Sequence, residues 1–308
     1  MLDIYPRKIL VGVDELGDVD GVLEFAAAEA VRRQCGVHLM HAVFAGSGGG
    51  GDFAELSVSS DSMQRAGSEV LLAGSRQLEH MLGEDLTVTT EIVHGPAVHE
   101  LVEASEHACL VLLQRRPRSG INRFGLLGVV NGVAAKAAVP VVVVPSSWRR
   151  YREHPPVVAV GIDEPEVSGP LVQAALELAR EWQAELHLVH ARPSGLRHEE
   201  DRGWSEEEAI TRITAEMERD FADLAAEYPD VRVVPIVHHG EPEDALIVEG
   251  DTASLIVVGR HHRRHAMSPH LGSTARAVLS GAPCPVMIVE PGELVEVSAP
   301  PAADQRAG

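Results

Sequence analysis

Two stretches of this chain, Cys109 to Pro145 and Ser254 to Val289, follow one plan: an apolar strand, an arginine-rich loop, a helix of small residues and a second apolar strand. The segments that open each half match as well, Ile9-Leu10-Val11-Gly12-Val13-Asp14 answering Val158-Ala159-Val160-Gly161-Ile162-Asp163. Equivalent positions lie 149 residues apart at Asp14 and Asp163, and 145 apart at Gly95 and Gly240 and at Pro140 and Pro285. A period this long exceeds that of solenoid repeats and means two whole domains. The fall in offset places extra residues in the first copy's central loop, at the Gly-rich run 46–51, which reads as flexible.

In each copy short β-branched runs alternate with helical patterns, the signature of βαβ units and a parallel sheet. The first copy is expected to carry strands at 8–14, 37–43, 86–93, 110–114 and 141–144, with helices at 19–35, 60–82, 97–106 and 127–138. In the second, strands are expected at 157–163, 185–190, 231–237, 255–259 and 286–289. A long helix at 205–228 should open on the capping box Ser205–Glu208. The fold class is therefore α/β, two tandem Rossmann-like domains, each a doubly wound, five-stranded parallel sheet. Domain one is expected at 1–145, a linker at 146–156 with its polar middle and flanking prolines, domain two at 157–290, and a mobile Pro/Ala-rich tail at 291–308. The last strand of each copy is a valine-rich run bounded by proline, and an unpaired strand edge invites a partner. Pairing of the two runs would give an internal pseudo-dimer; a homo-oligomer is the alternative.

With 308 residues and a 45% hydrophobic fraction, the chain can build a core in each copy. The net charge of −20 argues against nucleic acid or anionic membrane as a partner of the surface as a whole. Lys8 and Lys136 are the only lysines and neither follows a Gly-rich loop, which removes the Walker and Schiff-base lysines. The three cysteines, without a C-x-x-C, read as buried reduced thiols. With no apolar run that could serve as a signal peptide or a span, the expected location is cytoplasmic.

Ligands of open α/β sheets sit beyond the carboxyl ends of the strands, where helix N-termini expose N–H groups. Arginine concentrates in the loop after each fourth strand: Arg115, Arg116, Arg118 and Arg123, then Arg260, Arg263 and Arg264. In so acidic a chain this points to phosphate. His261, His262, His265 and His270 share the second loop, but its arginines oppose a cation, and no metal is expected there. No G-x-S-x-G elbow or P-loop is present, and Glu206-Glu207-Glu208 reads as the acidic first turn of a helix.

Gly259, position 262 and Gly272-Ser273 reproduce the spacing Gly-x2-Gly-x9-Gly-Ser/Thr, and with the strand Leu255 to Val258 and Ala282-Pro283-Cys284-Pro285-Val286 the chain resembles the ATP-binding universal stress proteins. Val237-His238-His239-Gly240-Glu241-Pro242 and Val93-His94-Gly95-Pro96 resemble the turn that precedes that family's third helix. The resemblance implies a pocket in the second copy, with Asp163 near a ribose and Ala191 near adenine. Val258, Gly259, Gly272, Ser273 and Thr274 would line the nucleotide, and Arg260 and His262 would complete its phosphate loop. His262 stands where the family has its second glycine. A left-handed backbone there would cost roughly 1–2 kcal/mol, on the order of tenfold in affinity, whereas phosphate in contact with the backbone would be blocked by the imidazole. The first copy has Gln114, Pro117 and Leu127-Gly128 at the matching positions and reads as a degenerate site.

The resemblance thus implies a stress-response regulatory module that binds ATP with Mg2+, or another adenine nucleotide, in the second copy and acts through protein partners. The alternatives are a ligand-free interaction scaffold, or a slow ATPase at the same pocket with His262 or His265 as base.

Overall fold

A computed structural model describes residues 8–14, 19–43, 53–116, 125–149, 155–163, 165–192, 205–260 and 271–290. The first copy runs β1 (Lys8–Gly12), α1 (Asp20–Arg33), β2 (Val37–Val43), α2 (Phe53–Leu82), β3 (Val88–His94), α3 (Ala97–Ser105), β4 (Ala108–Arg115), α4 (Gly125–Lys136) and β5 (Val141–Pro145). The second runs β6 (Val157–Ile162), α5 (Pro165–Trp182), β7 (Glu185–Arg192), α6 (Glu206–Asp220), α7 (Ala222–Ala226), β8 (Val233–His239), α8 (Pro242–Glu249), β9 (Leu255–Gly259), α9 (Ser273–Gly281) and β10 (Val286–Val289).

The strands form one ten-stranded sheet in the order β3-β2-β1-β4-β5-β10-β9-β6-β7-β8. Within each copy all neighbours are parallel, in the doubly wound order. The seam is antiparallel: Val141, Val142 and Val143 pair with Ile288, Met287 and Val286. Each residue of this seam is at most 2% exposed, because helices cover both faces and polar side chains would find no water there.

The core divides by face and not by copy, unlike the core in each copy that composition led us to expect. On one face Leu23, Phe25 and Leu78 join Leu171, Leu176 and Phe221 in a single cluster. On the other, Leu101, Val130 and Val133 join Leu246, Val278 and Leu279. Once the two last strands pair, each layer of helices continues across the seam. Phe25 of α1 meets Trp182 at the end of α5 with ring centroids 5.9 Å apart, and Arg32 lies 4.5 Å over the Trp182 ring. Glu29, 1% exposed, holds Arg32 and Arg33 from the same helix.

Helix α2 begins seven residues before the expected Ser60, since the Ser57–Asp61 stretch of poor helix formers is overridden by its context. The helix expected at 205–228 is split at Phe221 (φ −107°, ψ 8°), a kink that accompanies burial of both Phe221 and Tyr228. Its capping box is formed as the sequence indicates. Strands β3 and β8 each begin two residues later than expected. Gln34 and Gln183, 149 residues apart, share the same left-handed φ of 52°, so even backbone strain is duplicated.

The stretch read as a linker starts packed on the body: Ser146 N–H donates to Arg115 O, and Trp148 meets Phe25 edge-on at 5.7 Å. The Gly-rich run and the tail lie outside the described residues. No described helix is long and apolar enough to cross a membrane.

Candidate nucleotide site

The described parts of the site in the second copy come from three parallel strands. The pairing of Val160 with Val257 brings the ends of β6 and β9 side by side, with Asp163 just beyond one and Arg260 just beyond the other. Ala191, near the end of β7, is half-buried. Asp163 is exposed, and its amide donates to Oγ of the fully buried Ser168 at 3.0 Å, which ties the end of β6 to α5.

After β9 the chain leaves at Arg260 and returns at Gly272, whose N–H donates to Arg260 O at 3.4 Å. Helix α9 starts on Gly272, in extended backbone with no side-chain cap and no acidic residue in its first turn. The leading N–H groups of a helix have no intrahelical acceptor, and aligned peptide dipoles add a partial positive charge. Helix α6 shows the opposite solution, with its capping box and three acids in the first turn. Gly272 and Ser273 are exposed and Thr274 is half-buried, so this uncapped end faces outward.

Neither glycine is required by the protein itself. Among the described residues, a Cβ on Gly272 would meet nothing within 4 Å, and one on Gly259 would meet Leu171 alone, at 3.7 Å. Neither has a positive φ. Val258, 7% exposed, packs beneath in the core.

Of the seven arginines in these loops, the three that are described, Arg115, Arg116 and Arg260, are held within the fold. Arg260 is 8% exposed, and its amide donates to Val289 O at 2.8 Å. Arg116 pairs with Asp14. Arg115 reaches across the seam to the carbonyls of Ser280 and Ala282. His262, Arg263, Arg264 and the remaining loop histidines, like Arg118 and Arg123, lie outside the described residues.

Sequence reasoning missed a cavity of about 100 Å³ in the first copy, between the ends of β1, β2 and β4. Val13, Met40, Leu101 and Leu113 give it apolar walls, and the Asp14–Arg116 pair lies at its lining. His41, 5% exposed, donates from Nδ1 to Val13 O at 2.9 Å. The available signal was opposite charge at the ends of adjacent parallel strands. A second omission is Glu249, 7% exposed, which accepts from His187 Nδ1 at 2.6 Å and lies 3.5 Å from His238 Nε2. The His187 hydrogen bond holds its carboxyl below the usual range against the opposing effect of burial.

The three cysteines are buried and form no disulfide. Cys35 and Cys109 Sγ lie 3.8 Å apart, and this contact, with burial, raises the Cys35 pKa. Burial pushes Cys284 up to about 12.

The universal stress protein family model matches residues 6–145 and again 156–290. A universal stress protein of Mycobacterium tuberculosis, Rv2005c, is 29% identical over 302 residues, covering 92% of this chain and 98% of that protein. The crystal structure of a universal stress protein from Archaeoglobus fulgidus DSM 4304 aligns over 94% of this chain and 99% of its own, with a TM-score of 0.67 and 20% identity. With its doubled sheet and a match to the family model in each half, the chain belongs to the universal stress protein family, in tandem form.

Proposed function

We propose that the second copy binds an adenine nucleotide, ATP with magnesium being the ligand its motif implies, and that the chain serves as a nucleotide-responsive regulatory module. The reading is carried by Gly272: an exposed glycine at an uncapped helix start, with no described residue within 4 Å of where its Cβ would lie and no positive φ. A residue that neither packing nor backbone demands there fits close approach of a ligand, and the free N–H groups fit phosphate. Gly259 repeats the argument at the end of β9. Asp163 and Ala191 would meet the ribose and the base, and Val258, Gly259, Ser273 and Thr274 would line the rest. Arg260 would act indirectly, its carbonyl holding Gly272 N–H in place, and His262 would belong to the phosphate loop.

Calorimetric titration with magnesium and ATP, on the wild type and on Gly272→Val, tests this. The expected result is one site per chain that disappears in the variant while its melting temperature stays within about 2 °C, the shift of a surface substitution. A wild type that binds no adenine nucleotide, or a variant that binds as well as the wild type, overturns the reading.

A further inference from the structure

Arg115 closes β4 in the first copy, but its guanidinium serves the second. Nη1 and Nη2 donate to the carbonyls of Ser280, in the last turn of α9, and of Ala282, which ends it. Carbonyls at a helix C-terminus lack intrahelical donors, and a cation there complements the dipole. A planar fork that holds two carbonyls at once fixes the helix in rotation as well as in position. Arg115 is itself held, its carbonyl accepting from Ser146 N–H at 2.8 Å. Its neighbours Gln114 and Arg116 line the first copy's cavity.

Helix α9 has nine residues. At 1.5 Å per residue it is a rod of about 13.5 Å, short enough to move as one body. The end held by Arg115 is opposite the end that presents Gly272, Ser273 and Thr274. We propose that Arg115 is a positioning residue of the second copy's nucleotide site, aiming the N–H groups of α9 from across the seam; this rests on the nucleotide reading above. The first copy, with its own Gly-Ser pair lost, then contributes to binding through the arginine it lends.

Two readouts test the proposal on the full chain. Calorimetry with magnesium–ATP and with adenosine, for the wild type, Arg115→Ala and Arg115→Lys, should show ATP affinity falling about tenfold in the alanine variant, or 1.4 kcal/mol. Adenosine affinity should change little, and lysine, charged but unable to fork, should fall between. Hydrogen exchange of free protein should be faster across 273–281 in Arg115→Ala and unchanged in α1. General loosening of the fold would weaken both ligands equally, so the ratio of the two affinities separates positioning from stability. If Arg115→Ala does not fold, the lysine variant decides alone. An unchanged ratio with unchanged exchange overturns the role of Arg115 while the nucleotide reading stands. A wild type that binds neither ligand overturns the nucleotide reading and the proposal with it.

Discussion

The two copies share a frame and differ at its rim. Helix α9 starts at Ser273, whereas α4 is already helical at Gly125, three residues ahead of Gly128, the position equivalent to Ser273. The three extra residues lengthen the first copy's helix by about 4.5 Å at its N-terminal end. At the same level Asp14 is engaged by Arg116, while Asp163 is exposed. The first copy's rim, with its longer helix and its Asp14–Arg116 pair, holds a cavity of about 100 Å³. The lesson is that duplicated domains can diverge at the rim while every strand keeps its place.

If the frame is common, damage to it should not respect copies. Val142→Asp places a carboxylate in the seam against Met287, where both side chains are fully buried. The expected cost is about 3–5 kcal/mol, and thermal unfolding should show both copies lost together. Separate transitions, one near the wild-type temperature, would show that the copies do not share a core.

The rim and outer face should respond copy by copy. Glu249 has Ala104 as its first-copy counterpart, so its pairing with His187 belongs to the second copy alone. Its folded pKa lies below the ordinary 4.5, so its contribution is fully present above that value and is lost as pH falls through the lowered folded value. Acid titration followed by circular dichroism should show the wild type losing stability relative to Glu249→Gln as pH falls below about 4.5. Parallel curves for the two proteins would remove Glu249 from the account.

The smallest effect should be the most symmetrical. Gln34→Gly and Gln183→Gly each relieve a left-handed residue after a helix, and each should add about 0.5–1 kcal/mol, equally in the two copies. Urea midpoints would measure it. Unequal gains would locate a difference in the frame itself.

The two-copy plan and its parallel strands were legible because they follow from local chemistry: valine-like runs, proline breaks and a pattern repeated after 145 residues. The seam was legible for the same reason, since a valine run ending in proline needs an edge partner. Phe221 gave no warning, because an apolar residue in helical register reads alike whether the helix continues or breaks there. The placement of Arg115 was hidden for a different reason. Charge in a loop indicates phosphate only if it faces solvent, and Arg115 finds its carbonyls 165 and 167 residues away in sequence. Long-range capture of that kind has no local pattern.

The antiparallel seam between β5 and β10 joins segments of one chain. Were the same two strands on separate molecules, their pairing would weaken on dilution; on a common tether it is a unimolecular event at an effective concentration on the order of millimolar. The reach of Arg115 into the other copy is covered by the same tether. A cell holding only a few molecules of this protein would have the two copies of each one paired, whatever its abundance.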